Sequence, residues 1–173
     1  MDDADLQQAV QEDLQWEPRV DAAHAAPSAG LLRIVAGYDG SSPAGRALDA
    51  AVRLLQGRTG RIDVVWVAHL SSTVRLSADA IVEMEAAFDE LEPELRTQTA
   101  GQLRGRGADW RLERRQGVIA EELIAAAAGI GDARPGQSVV IVIGSSSHAT
   151  HRVVDSVAVS LARHSPVPLV IVP

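Results

Sequence analysis

The sequence predicts an α/β protein whose five-stranded parallel sheet carries helices on both faces. From residue 31 onward, short apolar segments alternate with amphipathic ones. Several of the apolar segments are continuous runs, which are typical of strands buried on both faces. Strands separated by helices form parallel sheets through right-handed crossovers. The composition agrees, since 46% of the 173 residues are hydrophobic and only 3% are aromatic, so that small side chains, mainly Ala and Val, must fill the core.

The first strand and helix are predicted on either side of a turn near residue 40. Residues 31–38 are an apolar run that predicts a buried strand. Ser42 is expected to cap the next helix, with Pro43 at its first position, where a missing N–H costs little. Four small or apolar side chains are expected on its inner face: Ala44, Leu48, Ala51 and Leu55.

A second strand and a long helix follow. Residues 62–68 predict another buried strand, and residues 78–104 predict a helix that Pro93 is expected to kink or split. Acidic residues on this helix form a charge run, which we interpret as a solvated face rather than a partner-docking surface. They are Glu83, Glu85, Asp89, Glu90, Glu92 and Glu94.

The rest of the chain completes the sheet. The third strand is rich in Arg and is expected at or near a sheet edge, and the last strand is short and apolar with prolines on both sides. In order, the elements are a strand at 110–115, a helix marked by Ile119, Leu123 and Ala126, a Gly/Pro loop at 129–137, a strand at 139–143, a helix at 152–164 and a strand at 168–172.

The composition argues against several classes of function. The chain has no cysteine, which excludes a disulfide framework and a thiolate metal site. No apolar run approaches the ~18 residues of a membrane span, and the acidic N-terminus does not resemble a signal peptide, so we expect a cytoplasmic protein without a membrane partner. With a net charge of −7, the chain is not expected to bind nucleic acid.

The first 30 residues are predicted to be a separate segment. Residues 2–16 have a helical pattern, Pro18 ends it, and residues 22–30 are typical of a linker. Residues 5–24 resemble the opening of a BON domain, although a whole domain of that kind is much longer. We therefore expect residues 1–30 to be an arm that packs on its own or a partner subunit, and residues 31–173 to be the α/β domain.

Three loops are candidates for a ligand site. Ligands of open parallel sheets bind beyond the carboxyl ends of the strands, near the switch in strand order. That rule selects residues 39–42, 67–69 and 144–147. The last loop is rich in hydroxyl groups and precedes a helix, an arrangement that can present N–H groups to an anion. Local explanations are also open, because Asp-Gly turns, tight strand–helix turns and Ser caps need no ligand.

The histidines give weaker signals. His148 and His151 are three residues apart and could share a metal ion on a helix, but no third ligand is evident, so no metal site is expected. His69 ends the second strand without a paired nucleophile, and no catalytic residue is predicted.

Four segments resemble the universal stress protein family in order and spacing. They are R-I-V-A-G-Y-D-G-S at 33–41, D-V-V-W-V-A-H at 63–69, G-V-I-A-E-E-L-I at 117–124 and the C-terminal segment 156–173. The resemblance covers residues 31–173 and implies the adenine-nucleotide α-hydrolase-like fold. It also implies a stress-response binding protein that forms a homodimer through its last strand and binds a ligand or a protein partner.

The resemblance implies an adenine-nucleotide site, for which ATP with Mg²⁺ is one candidate cofactor and no cofactor is the alternative. In nucleotide-binding members, the residue matching Asp39 faces the adenine and the one matching Val67 contacts the base. The phosphates lie on a loop of pattern G-x2-G-x9-G-[ST]. Here the matching positions are Gly144, Ser147 and Asp155, followed by Ser156 and Val157, and seven residues instead of nine separate Ser147 from Asp155.

The carboxylate of Asp155 would oppose a phosphate. At about 5 Å and an effective dielectric near 20, the repulsion costs roughly 3 kcal/mol, or about a hundredfold in affinity. Mg²⁺ bridging Asp155 to the phosphates, or Arg152 nearby, would offset this cost. Alternatively, Asp155 is a helix N-terminal acid that takes the place of the anion.

Three functions therefore stay open at this point. The first is a stress protein that binds a nucleotide, and the second is an interaction protein whose nucleotide site has decayed. The third is a weak ATP hydrolase, for which the sequence lacks both a base–nucleophile pair and the S-G-G-x-D-S loop of related enzymes.

Overall fold

Five parallel strands and four helices make up the part of the chain that the computed structural model describes, residues 31–69, 77–133, 137–145 and 152–173, with residues 152–156 described by their helical backbone alone. The strands are β1 Leu32–Gly37, β2 Gly60–Ala68, β3 Asp109–Gln116, β4 Ser138–Gly144 and β5 Leu169–Val172. The helices are α1 Ser42–Leu55, α2 Ala78–Leu103, α3 Ile119–Ala133 and α4 Arg152–His164.

The strands form one sheet in the order β3-β2-β1-β4-β5, and every pair is parallel. The chain starts at the centre with β1, moves outward to β2 and β3, and then crosses to β4 and β5 on the other side. The strand order therefore switches between β1 and β4, which is where such sheets bind ligands. The predicted five-stranded parallel sheet is confirmed, and so is the edge position of the Arg-rich strand β3.

Helix α1 packs on one face of the sheet, as predicted, but its N-cap is not the predicted residue. Ser41 caps the helix in place of Ser42, because its Oγ accepts the N–H of Ala44 at 3.3 Å. Pro43 then lies within the first turn. The buried side chains of α1 are Ala44, Ala47, Leu48, Ala51, Val52 and Leu55.

Helix α2 runs without a break through Pro93, so of the predicted kink or split, the split is wrong, and the kink stays a prediction. Pro93 is exposed. Its carbonyl accepts a hydrogen bond from Thr97 Oγ1 at 2.8 Å. The buried residues of α2 all lie in its second half, at Leu95, Thr99 and Leu103.

The acidic run of α2 is more than a solvated face. Glu85 and Asp89 bind Arg114 of β3 at 2.6 and 2.5 Å. The Arg114 guanidinium also lies over the rings of Trp66 and Phe88, 5.7 and 5.4 Å from their centroids. Two acids of the run thus hold the first half of α2 to the sheet through a cation–π cluster.

Helices α3 and α4 cover the opposite face of the sheet. Its core includes Val35, Val65, Leu123, Ile141 and Leu161. Helix α3 continues to Ala133, four residues beyond the predicted start of a Gly/Pro loop. Burial explains the difference, because Ile130 is only 9% exposed and packs in this core, which favours helix despite the neighbouring glycines. Within the described ranges, no helix has both the length and the apolar character needed to cross a bilayer.

Candidate functional site

The predicted site residues Asp39, Val67 and Gly144 come to the same edge of the sheet. Gly37 lies opposite Val65, and Ala36 lies opposite Val142. Asp39 lies two residues beyond Gly37 and Val67 two residues beyond Val65, while Gly144 ends the neighbouring strand β4. We call this region, at the carboxyl ends of β1, β2 and β4, the carboxyl-end crevice.

Asp39 forms a local turn and stays exposed. One carboxylate oxygen, Oδ1, accepts the N–H of Ser41 at 3.0 Å. The next residue, Gly40, has φ +81° and faces Leu95 closely, so a side chain there would be strained. The local explanation for Asp-Gly is therefore correct, but a carboxylate has a second oxygen. Asp39 can hold the turn and still offer an acceptor to a ligand.

Tyr38 lies beneath this turn and was not among the predicted site residues. It is 6% exposed, and its hydroxyl donates to Gln98 Oε1 at 3.3 Å. Burial raises the pKa of Tyr38 above 10.0, and the nearby Asp39 carboxylate adds to the effect. The period-2 pattern of β1 was the available signal, because it places Tyr38 on the same face as Ile34 and Ala36.

Gly144 is required by packing alone. A Cβ at this position would overlap the backbone of Pro43, so only glycine lets β4 approach the first turn of α1. The next N–H, that of Ser145, donates to the Val172 carbonyl at 2.7 Å and ties β4 to β5. Both groups therefore have structural roles, and neither is evidence for a phosphate.

The other predicted nucleotide residues are described less fully. Val67 and Val157 are half-buried and pack against the core under α3 and α4. Ser147 lies outside the described residues, and so do the side chains of Asp155 and Ser156. The positions of these three side chains, and their roles in a phosphate-binding loop, remain predictions from the sequence.

Of the histidines that were considered as candidate site residues, the one that the structure describes gives no evidence for a ligand. The ring of His69 is exposed, and its Nδ1–H donates to the Gly117 carbonyl at 2.9 Å, which joins the ends of β2 and β3. His148 and His151 lie outside the described residues. Among the residues that are described, no three His, Asp or Glu side chains are placed to hold a metal ion.

A second charged feature, which the sequence did not predict, lies on the α3 face of the sheet. Asp63 of β2 is buried, with its side chain 2% exposed, and it binds Arg33 of β1 and Arg111 of β3. A buried carboxylate in the middle of a sheet is costly to remove from water, so its presence asks for an explanation.

Three solved structures resemble this chain over most of its length. A universal stress protein family member from Burkholderia pseudomallei is 26% identical, with 84% of this chain and 98% of that chain covered and a TM-score of 0.60. The universal stress protein UspA from Lactobacillus plantarum is 18% identical, with 83% and 99% covered and a TM-score of 0.66. A universal stress protein solved in complex with cAMP is 20% identical, with 82% and 97% covered and a TM-score of 0.61.

The family model of the universal stress proteins matches residues 31–173, the whole of the predicted α/β domain. No curated protein matches the chain. The BON-like resemblance of residues 5–24 is not borne out, and that segment lies outside the described residues. Motif order, sheet topology and family match agree, and the chain belongs to the universal stress protein family.

Proposed function

We propose that this universal stress protein binds an adenine nucleotide with one phosphate in the carboxyl-end crevice and that it binds ATP weakly. The observation that carries the proposal is that Asp39 follows β1 by two residues and Val67 lies near the end of the neighbouring strand β2, two residues beyond the register pair Gly37 and Val65. A polar acceptor beside a half-buried apolar side chain suits the amino group and the face of a purine. The relative in complex with cAMP supports this choice, since that ligand carries a single phosphate.

The described part of the phosphate-binding side supports weak binding of polyphosphate. Gly144 is committed to its contact with Pro43, and the Ser145 N–H is committed to Val172. The sequence adds an acid, Asp155, at the third glycine position and shortens the loop by two residues. A triphosphate brings more negative charge to this region than a monophosphate, so the repulsion grows with each phosphate.

The test is a calorimetric titration of AMP, cAMP and ATP, the last with and without Mg²⁺. We expect AMP or cAMP to bind below about 1 mM and ATP to bind at least tenfold more weakly. Asp39→Ala should weaken AMP binding by about tenfold, the value of one lost hydrogen bond to a charged group. Equal affinity of AMP for the parent and the Asp39→Ala variant would contradict the proposed role.

A double variant and its control test whether the Asp155 carboxylate weakens ATP binding. Ser147→Gly with Asp155→Gly should raise ATP affinity by up to about a hundredfold. Asp132→Gly, which removes an exposed acid near the end of α3, is the matched control and should change little. If ATP binds the parent more tightly than AMP, the proposal is wrong. If none of the three ligands binds at millimolar concentration, the result would instead favour a protein whose function is interaction with a partner.

We also infer that two copies pair through β5 in the cytoplasm. Strand β5 is an edge strand in the described sheet, and Ile171 on it is 43% exposed. Pairing with a second copy would satisfy the free edge and bury this side chain. Ile171→Arg should convert a dimer to a monomer in sedimentation analysis, whereas a monomeric parent would contradict the inference. Cell fractionation tests the location.

A further inference from the structure

A cleft of about 360 Å³ opens between the sheet and α3, on the face away from α1. Strands β1, β2 and β3 form its floor, and the second half of α3 forms its wall, with the small residues Ala126, Gly129 and Ala133. Three of its arginines lie within the first three residues of their strands, at Arg33, Arg61 and Arg111. The cleft therefore reaches the amino ends of the strands, and Arg115, opposite Val67, is the lining residue nearest to the carboxyl-end crevice. We call it the arginine cleft.

The strand register brings these charges together. Arg61 lies opposite Arg33 on one side and opposite Asp109 on the other, and Asp63 lies opposite Arg111. Residues paired across parallel strands point to the same face of the sheet. The lining side chains include four arginines, the fourth being Arg115, and the two acids Asp63 and Glu113, while Asp109 and Glu122 bind Arg61 and Arg115 from beside the lining.

Asp63 fixes two of the guanidinium groups. Its Oδ2 accepts Arg33 Nε at 3.0 Å and Nη2 at 2.6 Å, and its Oδ1 accepts Arg111 Nε at 2.5 Å. Each guanidinium has five N–H donors, so both retain donors beyond those that Asp63 takes. Apolar side chains of similar volume would often serve stability as well as such a buried cluster. We therefore interpret the cluster as a device that holds arginines in place for a ligand.

The other ion pairs in the cleft involve more exposed acids than Asp63. Arg61 binds Asp109 at 2.6 Å, but this acid is 60% exposed. The Arg111 side chain is 51% exposed, and its second contact, to Glu113, is at 3.4 Å. Arg115 binds Glu113 and Glu122 at 2.9 and 3.0 Å. Exposed pairs contribute little, so an anion in the cleft can replace the Asp109 and Glu113 contacts at low cost.

We propose that the arginine cleft is a second ligand site, which binds a small phosphomonoester. Planar guanidinium groups match phosphate oxygens in pairs of parallel hydrogen bonds, which favours this class over a cation or a neutral molecule. The volume lies near the lower end for ligand pockets, which favours a compact ligand smaller than a nucleotide. This inference does not depend on whether the carboxyl-end crevice binds AMP.

The first test uses inorganic phosphate and 3-phosphoglycerate as probes, followed by calorimetry and by NMR of the arginine Nε–Hε groups. We expect 3-phosphoglycerate to bind the parent protein below about 1 mM. Arg61→Ala should weaken this binding by about tenfold to a hundredfold, because one charge-assisted contact is lost. The matched control is Arg106→Ala. Arg106 forms a comparable exposed pair with Asp49 at 2.6 Å, with side chains 41% and 35% exposed, and it is not a lining residue.

The second test fills the cleft without removing a charge. A Cβ added at Gly129 or at Gly101 meets nothing within 4 Å, and both residues lie inside helices. Gly129→Leu should reduce 3-phosphoglycerate binding at least tenfold, since Gly129 lines the cleft, whereas Gly101→Leu on α2 should not change it. Both substitutions replace a helical glycine with a better helix former, so folding is expected to persist.

Three results would overturn the proposal. They are the absence of binding of either probe at about 10 mM, equal affinities of the Arg61→Ala and Arg106→Ala variants, and equal affinities of the Gly129→Leu and Gly101→Leu variants. Binding that falls in Arg61→Ala and Gly129→Leu, and persists in both controls, supports the arginine cleft as a phosphomonoester site.

Discussion

The carboxyl-end crevice and the arginine cleft lie on the same sheet and are built in different ways. The crevice consists of turns, in which Asp39 bonds to Ser41 two residues away. The cleft consists of side chains on three strands, in which Asp63 bonds to arginines 30 and 48 residues away. Sites of the first kind leave a local sequence motif, and sites of the second kind leave almost none.

The two regions also differ in how tightly their charges are held. Asp39 is exposed, so its contacts compete with water and contribute little to stability. Asp63 is buried between two guanidinium groups, where an unpaired partner would be costly. We therefore expect substitution of the buried Asp63 to affect folding strongly, and substitution of the exposed Asp39 to affect mainly ligand binding.

The largest expected effect is that of Asp63→Ala. This change leaves Arg33, whose side chain is only 12% exposed, without its partner. We expect the free energy of unfolding to fall by about 3–5 kcal/mol in a urea titration. The control Asp109→Ala removes the exposed acid of the Arg61 pair and should cost less than about 1 kcal/mol. Similar losses for the two variants would show that burial does not decide the difference.

A triple variant separates stability from ligand binding in the same cluster. Arg33→Met, Asp63→Leu and Arg111→Met together remove every charge at once, so no buried ion is left unpaired. We expect stability within about 2 kcal/mol of the parent and no detectable binding of 3-phosphoglycerate. A large loss of stability would instead assign the cluster a structural role.

The next largest effect is expected at Gly144. Gly144→Ala places a methyl group against the backbone of Pro43, and the strain should cost about 1–3 kcal/mol in the same urea titration. Gly129→Ala is the matched control, because its Cβ meets nothing within 4 Å, and it should be neutral or stabilise by up to about 1 kcal/mol. If Gly144→Ala is neutral, the packing explanation for this glycine fails.

The smallest effect concerns Tyr38, the single tyrosine of the chain. Because burial and then Asp39 raise its pKa above 10.0, the neutral phenol stabilises the fold fully below pH 10. This contribution is lost as the pH rises through the folded-state pKa. Absorbance at 295 nm should show tyrosinate forming above pH 10 while circular dichroism still reports a folded protein.

Asp39→Asn sharpens this test, because it retains the turn acceptor and removes the charge. The pKa of Tyr38 should then move toward 10.0 without reaching it, since burial is the larger cause. A Tyr38 pKa that is unchanged by Asp39→Asn would mean that the Asp39 carboxylate has no electrostatic effect on its neighbour.

Periodicity was sufficient to predict the sheet and helices, and it failed where burial overrode local signals. The inner face of α1 follows from the spacing of Ala44, Leu48, Ala51 and Leu55. The end of α3 does not, because Gly129 and Gly131 suggest a loop, whereas the buried Ile130 keeps the segment helical. The sequence also does not decide between Ser41 and Ser42 as the N-cap, since both are serines at a suitable distance before the apolar face of α1.

The carboxyl-end crevice could be predicted because strand ends and switch points follow from element order. The arginine cleft could not, although β3 alternates apolar Trp110 and Leu112 with the charged Arg111 and Glu113. This alternation indicates a polar face, but it does not say which strand supplies the partner. Only the register of β2 against β3 brings Asp63 opposite Arg111.

The most direct test of two separate sites is a cross-titration. AMP is titrated calorimetrically in the presence and absence of saturating 3-phosphoglycerate, with the parent, Asp39→Ala and Gly129→Leu. We predict that the AMP affinity of the parent does not depend on 3-phosphoglycerate, that Asp39→Ala weakens AMP alone, and that Gly129→Leu weakens 3-phosphoglycerate alone. Competition between the two ligands, or a variant that loses both while still folded, would contradict the account.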